Sequence, residues 1–211
     1  GKVLSGPAML MTIYANGKGA TRNYDLAMKF ACVLDGAPAE MDGRIENLLT
    51  KKESNWTGED FHLCGDITSG FMMGICTAHQ AQFEEQEQEQ RWRELMAGWN
   101  PSEREAFEDL RQAANGFFDR RADNEVDQSG TGRLAFCIEE RRSLENGLLS
   151  TFASLEEEQF PVFSASQFKQ ADKELNSIYW KIHEPEELVG RGTISQEGIR
   201  KTQRAWIVYR D

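Results

Sequence analysis

The residue types best suited to chemistry, cysteine and histidine, are few in this 211-residue sequence and are not grouped. The cysteines and histidines are Cys32, Cys64, Cys76, Cys137, His62, His79 and His183. No two cysteines form a C-x-x-C pair and the histidines form no ligand cluster, so the spacing is not that of a zinc site. The sequence places no nucleophile, carboxylate or metal-ligand set around His62 or His79. These residues therefore predict neither a metal centre nor a catalytic centre.

Longer catalytic and cofactor motifs are also missing. The sequence contains no G-x-S-x-G, H-E-x-x-H, Walker A or G-x-G-x-x-G pattern. Residues 125–130 match the first six positions of an EF-hand loop, but Phe136 stands at the twelfth position, where a bidentate glutamate is required. We therefore expect no catalytic residue, no cofactor and no metal, and we do not expect an enzyme.

One cysteine pair could form a bridge. Cys64 and Cys76 flank a segment containing Gly65, Gly70 and Gly74, which predicts a folded-back loop rather than a long helix. A bridge there would close a loop of about a dozen residues and stabilise the fold by roughly 3 kcal/mol. The spacing alone equally allows two buried free thiols in a cytosolic protein.

The charge balance excludes some classes of partner. Lys and Arg number 24 against 35 Asp and Glu, which gives a net charge of −11 at pH 7. Binding to nucleic acid or to an anionic membrane surface needs clustered basic residues, so we expect a basic protein partner instead. The longest apolar stretches are shorter than the ~20 residues of a membrane helix, so no membrane span is expected. The first residues lack the features of a signal peptide, so they do not decide export.

Apolar side chains three and four residues apart recur along most of the chain, which predicts helices rather than strands. Residues 77–100 form a long predicted helix with a solvated tract of glutamate and glutamine at 84–90. Pro101 begins a second helix, whose buried stripe includes Phe107 and Phe117. We expect these two helices to pair antiparallel.

Two breaks rich in glycine, residues 127–133 and 190–192, separate the remaining predicted helices. The first of these helices covers residues 134–155. Ser164 is the expected N-cap of the next helix, and Ser195 begins the last one. The whole pattern predicts an all-α protein built from helical hairpins.

The N-terminal segment resembles one SEL-one-like helical repeat. The resemblance is carried by Leu10, by YANGKG at residues 14–19 and by NYDLAMKF at residues 23–30. In that family a glycine pair makes the turn between two helices, which implies a small helical unit at the start of the chain.

The C-terminal segment resembles the lysozyme-inhibitor LprI-like family of bacterial envelope proteins. Residues 171–179 read ADKELNSIY and residues 198–211 read GIRKTQRAWIVYRD, which match that family's L-N-x-x-Y helix and its Q-R-x-W-x-x-[YF]-R-D helix. The motif residues are Leu175, Asn176, Tyr179, Gln203, Arg204, Trp206, Tyr209, Arg210 and Asp211.

A first, degenerate copy of this module is expected earlier in the chain. QAANGFF at residues 112–118 aligns with QRAWIVY at residues 203–209, but Asn115 and Gly116 stand where the family has tryptophan and an aliphatic residue. The resemblance implies that the second copy is truncated, since the family motif would continue beyond Asp211. The resemblances imply a SEL-one-like unit with a linker at 1–58, a first LprI-like module at 59–160 and a second LprI-like hairpin at 161–211.

The LprI-like family often has a cysteine pair ahead of its first helix, which implies a disulfide between Cys64 and Cys76 and a periplasmic or secreted protein. The resemblance does not assign a pairing to Cys32 and Cys137, which are either free or joined to each other. The resemblance implies a non-catalytic binding protein, an inhibitor-like or immunity-like partner of a basic muramidase or another peptidoglycan-cleaving effector. The alternative is a structural or adaptor protein that assembles with another envelope component.

The motif residues are expected to be mainly structural. Leu175 and Tyr179 lie one helical turn apart, so Trp206 can pack against both. The polar members are expected to cap and tie the helix ends: Asn176, Arg204, Arg210 and Asp211. Contacts to a partner are expected from the two glycine-rich loops, through Arg133 and Arg191, which could reach the paired carboxylates of a muramidase cleft.

Overall fold

A computed structural model describes residues 6–157, 159, 161–182 and 192–211, and it confirms the predicted all-α class. The α-helices in these ranges are α1 (Gly6–Asn16), α2 (Tyr24–Ala31), α3 (Pro38–Glu53), α4 (Gly70–Leu95), α5 (Pro101–Asn124), α6 (Arg133–Glu156), α7 (Ala165–Ile182) and α8 (Gln196–Arg210). Leu63–Asp66 and Met96–Gly98 are short 3-10 helices. No described residue lies in a strand. Among the described helices, none has both the length and the apolar character that crossing a bilayer requires.

The chain divides into two compact units, Gly1–Cys76 and Thr77–Asp211. Each unit has its own apolar core. The boundary falls within α4, which begins in the first unit and continues into the second. The finer division into residues 1–58, 59–160 and 161–211 stays a prediction.

The core of the first unit is built from α1, α2 and α3. Met11, Ala27 and Leu48 each have no exposed surface. The turn between α1 and α2 contains Gly17 and Gly19, which have φ angles of 68° and 87°. Side chains with a Cβ rarely adopt such angles, so the glycine pair makes this turn possible, as the SEL-one-like resemblance implies.

Arg22 joins this turn to the segment that follows α3. Its guanidinium donates five hydrogen bonds of 2.7–3.0 Å to main-chain carbonyl oxygens. The acceptors are Ala15, Asn16, Trp56, Thr57 and Gly58. A lysine could not replace Arg22, because its ammonium lacks the planar fork that reaches several acceptors at once.

Glu40, a residue of α3 with 1% of its surface exposed, fixes the start of α4. Its Oε1 accepts hydrogen bonds from Thr68 N, Ser69 N and Ser69 Oγ at 3.0, 2.7 and 2.7 Å. Its Oε2 accepts one from Ala37 N at 3.2 Å. Burial alone would raise the pKa of Glu40, but these hydrogen bonds outweigh burial and hold the pKa below its ordinary value.

The predicted loop between Cys64 and Cys76 is wrong in its second half. Helix α4 begins at Gly70 rather than near residue 77, so Gly74 is helical. The physical reason is a cap, since the Ser69 hydroxyl accepts a hydrogen bond from Met72 N at 3.2 Å while Glu40 holds Ser69 in place.

In the second unit, α5 packs against α4, α6 and α8. A capping box begins it: the Asn100 side chain accepts hydrogen bonds from Ser102 N and Glu103 N, and Glu103 Oε2 accepts one from Asn100 N at 2.8 Å. Trp92 contacts Phe107 with ring centroids 4.7 Å apart. Farther along α5, Arg111 pairs with Glu89, which precedes Trp92 in α4. The two helices therefore run antiparallel, as the sequence predicts.

The glutamate and glutamine tract at 84–90 is only partly solvated, which corrects the prediction for this segment. Its partly buried members have partners on α5 or α6: Glu84 pairs with Arg142, Gln88 with Asn146 and Glu89 with Arg111. One face of the tract therefore contributes polar contacts to the helix bundle, while the other face is exposed.

Candidate functional site

The connection between α5 and α6 is tied to the segment before α8 through one carboxylate, Asp127. Its Oδ1 accepts hydrogen bonds from Ser129 N, Thr193 N and Thr193 Oγ1 at 3.0, 3.0 and 3.1 Å, and its Oδ2 accepts one from Ser129 Oγ at 2.6 Å. The hydrogen bonds from Ser129, and then those from Thr193, hold the pKa of Asp127 far below its ordinary value. Residues 127–129 and residues 192–193 are therefore neighbours in space, and we call this contact the Asp127 lock.

The contact between Asp127 and Thr193 requires glycine at position 192. Its φ angle is 60°, in the left-handed region. A Cβ at Gly192 would also overlap the carboxylate of Asp127. Thr193 completes the contact, because its hydroxyl accepts a hydrogen bond from Gln128 N at 2.6 Å.

The start of α6 presents three exposed side chains beside this lock. Arg133 is exposed, and its Nη1 donates to Gly130 O at 3.1 Å. Leu134 and Phe136 expose 50% and 47% of their surface. All three exposed side chains belong to the first turn of α6, while the second predicted contact residue, Arg191, lies outside the described residues.

Four residues of the predicted LprI-like motif line one cleft between α7 and α8. They are Leu175 and Tyr179 of α7 and Gln203 and Trp206 of α8. Direct packing of Trp206 against both α7 residues stays a prediction. The guanidinium of Arg210 lies 5.0 Å from the ring centroid of Trp206.

The polar motif residues only partly tie the helices together. Arg210 donates to Asp172 of α7 at 3.4 Å and to Asp211 at 2.8 Å. Asn176, in contrast, donates to Asp172 O at 2.8 Å within its own helix, and Arg204 is exposed. The motif therefore joins α7 to α8 through Arg210.

Tyr209 belongs to the core of the second unit. Its ring stacks on Phe117 of α5 with centroids 5.7 Å apart and an angle of 11° between the planes. Burial raises the pKa of the Tyr209 hydroxyl. Because residues 112–118 and 203–209 are the two segments aligned as motif copies, the aligned segments pack against each other.

The cleft bounded by α5, α7 and α8 has a volume of about 240 Å³. Most of its walls are apolar: Phe117, Leu175, Ile178, Tyr179, Ile182, Ile199 and Trp206. Arg121, Glu125 and Thr202 are polar members of the lining. Burial raises the pKa of Glu125, although the charge of Arg121 opposes the shift.

The structure places Cys64 and Cys76 as a disulfide pair, with Cα atoms 5.8 Å apart. This is the pairing that the LprI-like resemblance implies. Cys32 is a free, exposed thiol, and Cys137 is a free, partly buried one near Gln128 Nε2 at 2.9 Å. Cys32 and Cys137 are therefore not joined to each other.

The histidines and the EF-hand-like tract form no metal site in the described part of the chain, where no three metal-binding side chains meet. His79 contacts Phe83 edge to face, with ring centroids 4.9 Å apart. In the EF-hand-like tract, hydrogen bonds engage both oxygens of Asp127. His183 lies outside the described residues.

Sequence reasoning missed the lock at Asp127 and the carboxylate of Glu125. Asp127 and Ser129 have the spacing of an Asx-turn, a signal that could have identified the first half of the lock. Nothing local identifies Thr193, which is 66 residues away from Asp127.

Comparison of the chain with models of protein families, with curated proteins and with solved structures finds no match.

Proposed function

We propose that this chain is a non-catalytic binding protein of the bacterial envelope, an inhibitor-like or immunity-like partner of a peptidoglycan-cleaving enzyme. The contact surface is the loop and helix start at residues 127–136. Arg133, Leu134 and Phe136 are exposed there. Arginine and aromatic side chains are enriched among the residues that dominate affinity between proteins, so this grouping supports a protein contact.

The observation that carries the proposal is the set of four hydrogen bonds to Asp127. They order the loop before a partner arrives, so less conformational entropy is lost on binding. An ordered loop with exposed residues at 129–131 suits the concave cleft of a muramidase, and the charge of Arg133 suits the paired carboxylates in that cleft.

Charge and cysteine chemistry give further support. Residues 77–211 contain 26 Asp and Glu against 17 Lys and Arg, so the second unit is strongly acidic. An acidic surface attracts a basic muramidase and raises the rate of encounter. The Cys64–Cys76 pair is consistent with an oxidising compartment such as the periplasm.

The test is titration calorimetry of the full chain against several muramidases, together with cell-wall digestion in its presence. We expect Arg133→Ala and Phe136→Ala each to weaken binding about tenfold while the thermal midpoint stays nearly unchanged. Arg191→Ala is expected to act in the same direction. The matched control is Arg91→Ala on the exposed surface of α4, which should leave binding unchanged. No binding and undisturbed digestion would refute the proposal.

The second candidate, a structural or adaptor protein, is favoured by exposed apolar residues ahead of and within α7. Val162, Phe163 and Phe168 expose 97%, 63% and 59% of their surface. If this surface assembles with an envelope component, Phe163→Ser should abolish copurification of that component from a periplasmic extract. The same variant should leave muramidase binding intact, which distinguishes the two candidates.

A further inference from the structure

The cleft between α5, α7 and α8 is an under-packed part of the second unit. None of the residues of α7 is buried, although Leu175, Ile178 and Ile182 follow each other at helical spacing and line the cleft. Apolar surface that stays exposed to water does not contribute the free energy that its burial would give. An apolar body that displaces the water would gain this free energy.

The size of the cleft limits what it can hold. Its volume is about 240 Å³. A dry apolar cavity of about 150 Å³ is enough to bind benzene, whereas drug-sized ligands need roughly 300 Å³ or more. The cleft therefore suits one ring or a short aliphatic chain with a small substituent.

The charges in the lining select the substituent. Arg121 is already paired, because its Nε donates to Glu140 Oε1 at 2.6 Å. Glu125 is partly buried in the lining, and no ion pair of this structure includes it within the described residues. Arg210, which lies beside the lining residue Trp206, is likewise paired, with Asp172 and Asp211. Glu125 is therefore the charged side chain of the lining for which the described residues show no ion pair. A ligand with a positive charge next to an apolar body complements this arrangement.

Aromatic faces add a second attraction for a cation. Tyr179 and Trp206 both contribute to the lining. The guanidinium of Arg210 lies 5.0 Å from the centroid of the Trp206 ring, so one of these rings already contacts a cation within the chain. The face of such a ring is negative and attracts an ammonium that comes within about 6 Å of the ring centroid. The cleft thus combines apolar walls, aromatic rings and one carboxylate.

We infer that the cleft between α5, α7 and α8 binds a small organic cation, an ammonium group carried by one aromatic ring or a short alkyl chain. The apolar body lies against Ile178, Ile199 and Trp206, and the ammonium pairs with Glu125. This site is separate from the loop at residues 127–136 and does not depend on the proposed partner.

The test is a titration of the full, isotope-labelled chain followed by amide NMR. The probes are 2-phenylethylammonium, its neutral analogue 2-phenylethanol and the anion 3-phenylpropionate. We expect saturable shifts at Ile178, Ile199 and Thr202, with the ammonium binding about tenfold more tightly than the alcohol and the anion binding most weakly.

Two variants make the assignment specific. Glu125→Gln should remove the preference for the ammonium over the alcohol, whereas Glu197→Gln, at an exposed glutamate of α8, should preserve it. Ile178→Trp fills the cleft from a side chain that is 56% exposed and should abolish binding of all three probes with little effect on folding. Absence of saturable shifts, equal affinity for the cation and the anion, or an unchanged preference in a folded Glu125→Gln variant would each overturn the inference.

Discussion

The side chain of Asn16 and the main chain of Phe61 exchange two hydrogen bonds in the first unit. Asn16 Nδ2 donates to Phe61 O at 2.8 Å, and Phe61 N donates to Asn16 Oδ1 at 3.0 Å. Phe61 and Asn16 are both buried, with 3% and 8% of their surfaces exposed. One amide therefore satisfies both polar groups of a main-chain residue that no regular structure pairs.

Replacing Asn16 should destabilise the first unit. Asn16→Ala leaves the N–H and C=O of Phe61 buried without partners, which costs about 2–3 kcal/mol of unfolding free energy. Urea unfolding with hydrogen exchange resolved along the chain measures the loss. The matched control is Asn176→Ala in the second unit, an exposed position where we expect a change below about 0.5 kcal/mol. Equal losses for the two variants would contradict this account.

The stability of the first unit should depend on the ionisation of Glu40. Because its pKa is lower in the folded chain than in the unfolded chain, the stabilisation is complete above the ordinary glutamate pKa near 4.5 and is lost as the pH falls through the lower, folded value. Urea unfolding at a series of pH values should show this decline, and Glu40→Gln should flatten it. The exposed Glu46→Gln on the same helix should keep the decline.

Removing the Glu40 side chain altogether should have a larger effect. Arg44 is 2% exposed, and its Nε and Nη1 have no hydrogen-bond partner among the residues that the structure describes. Burial lowers the pKa of Arg44, and the charges of Glu40 and Asp66 counteract this. Glu40→Ala leaves the Arg44 charge with less compensation, so we expect a loss of about 3–5 kcal/mol in urea unfolding. A loss no greater than that of Glu46→Ala would refute this role.

Phe107 should be the most costly aromatic residue to truncate in the second unit. It is 3% exposed and contacts Trp92, Trp99 and Phe152 with centroid distances of 4.7–5.3 Å. Phe107→Ala should lower the free energy of unfolding by about 3–5 kcal/mol, measured by urea titration. Phe83→Ala on α4, at a side chain that is 54% exposed, is the matched control and should cost far less.

A methyl group at Gly192 should break the lock at Asp127. Alanine at position 192 would meet both a left-handed φ angle and the Asp127 carboxylate. We expect the hydrogen bond from Thr193 N to Asp127 to slow exchange of this amide, and we expect Gly192→Ala to remove that protection. Gly116→Ala is the control with the opposite sign. Gly116 lies in the interior of α5 with open space around its Cα, so alanine there should stabilise the chain by roughly 0.5–1 kcal/mol. Retained protection of Thr193 in Gly192→Ala would contradict the lock.

Helix positions followed from local signals in the sequence, whereas contacts between distant segments did not. Ser164 and Ser195 precede α7 and α8 as predicted, since the Ser164 hydroxyl accepts from Gln167 N at 3.3 Å and that of Ser195 from Gly198 N at 3.0 Å. The early start of α4 was missed because its cap depends on Glu40, a residue of another helix. The donors to the Glu40 carboxylate are far from it in the sequence, so no periodic pattern of residues predicts this cap.

The same reasoning explains why the candidate sites were only partly predictable. Arg133 is identifiable from the sequence because Gly130 and Gly132 precede it. The sequence shows Phe136 only at the position where a calcium loop requires glutamate. Its exposure depends on how α6 packs. Glu125 lines a cleft that exists only once α5, α7 and α8 are assembled.

Thr68 and Ser69, two of the donors to Glu40, lie inside the loop that Cys64 and Cys76 close. Reduction of the disulfide and protonation of Glu40 therefore both affect the segment between Cys64 and Cys76. Linkage is reciprocal, so an intact bridge should make Glu40 harder to protonate, and an ionised Glu40 should make the bridge harder to reduce. A thiol reductant would then lower the acid tolerance of the first unit, and the reduction potential of the bridge would vary with pH in the acid range, beyond the usual dependence of thiols.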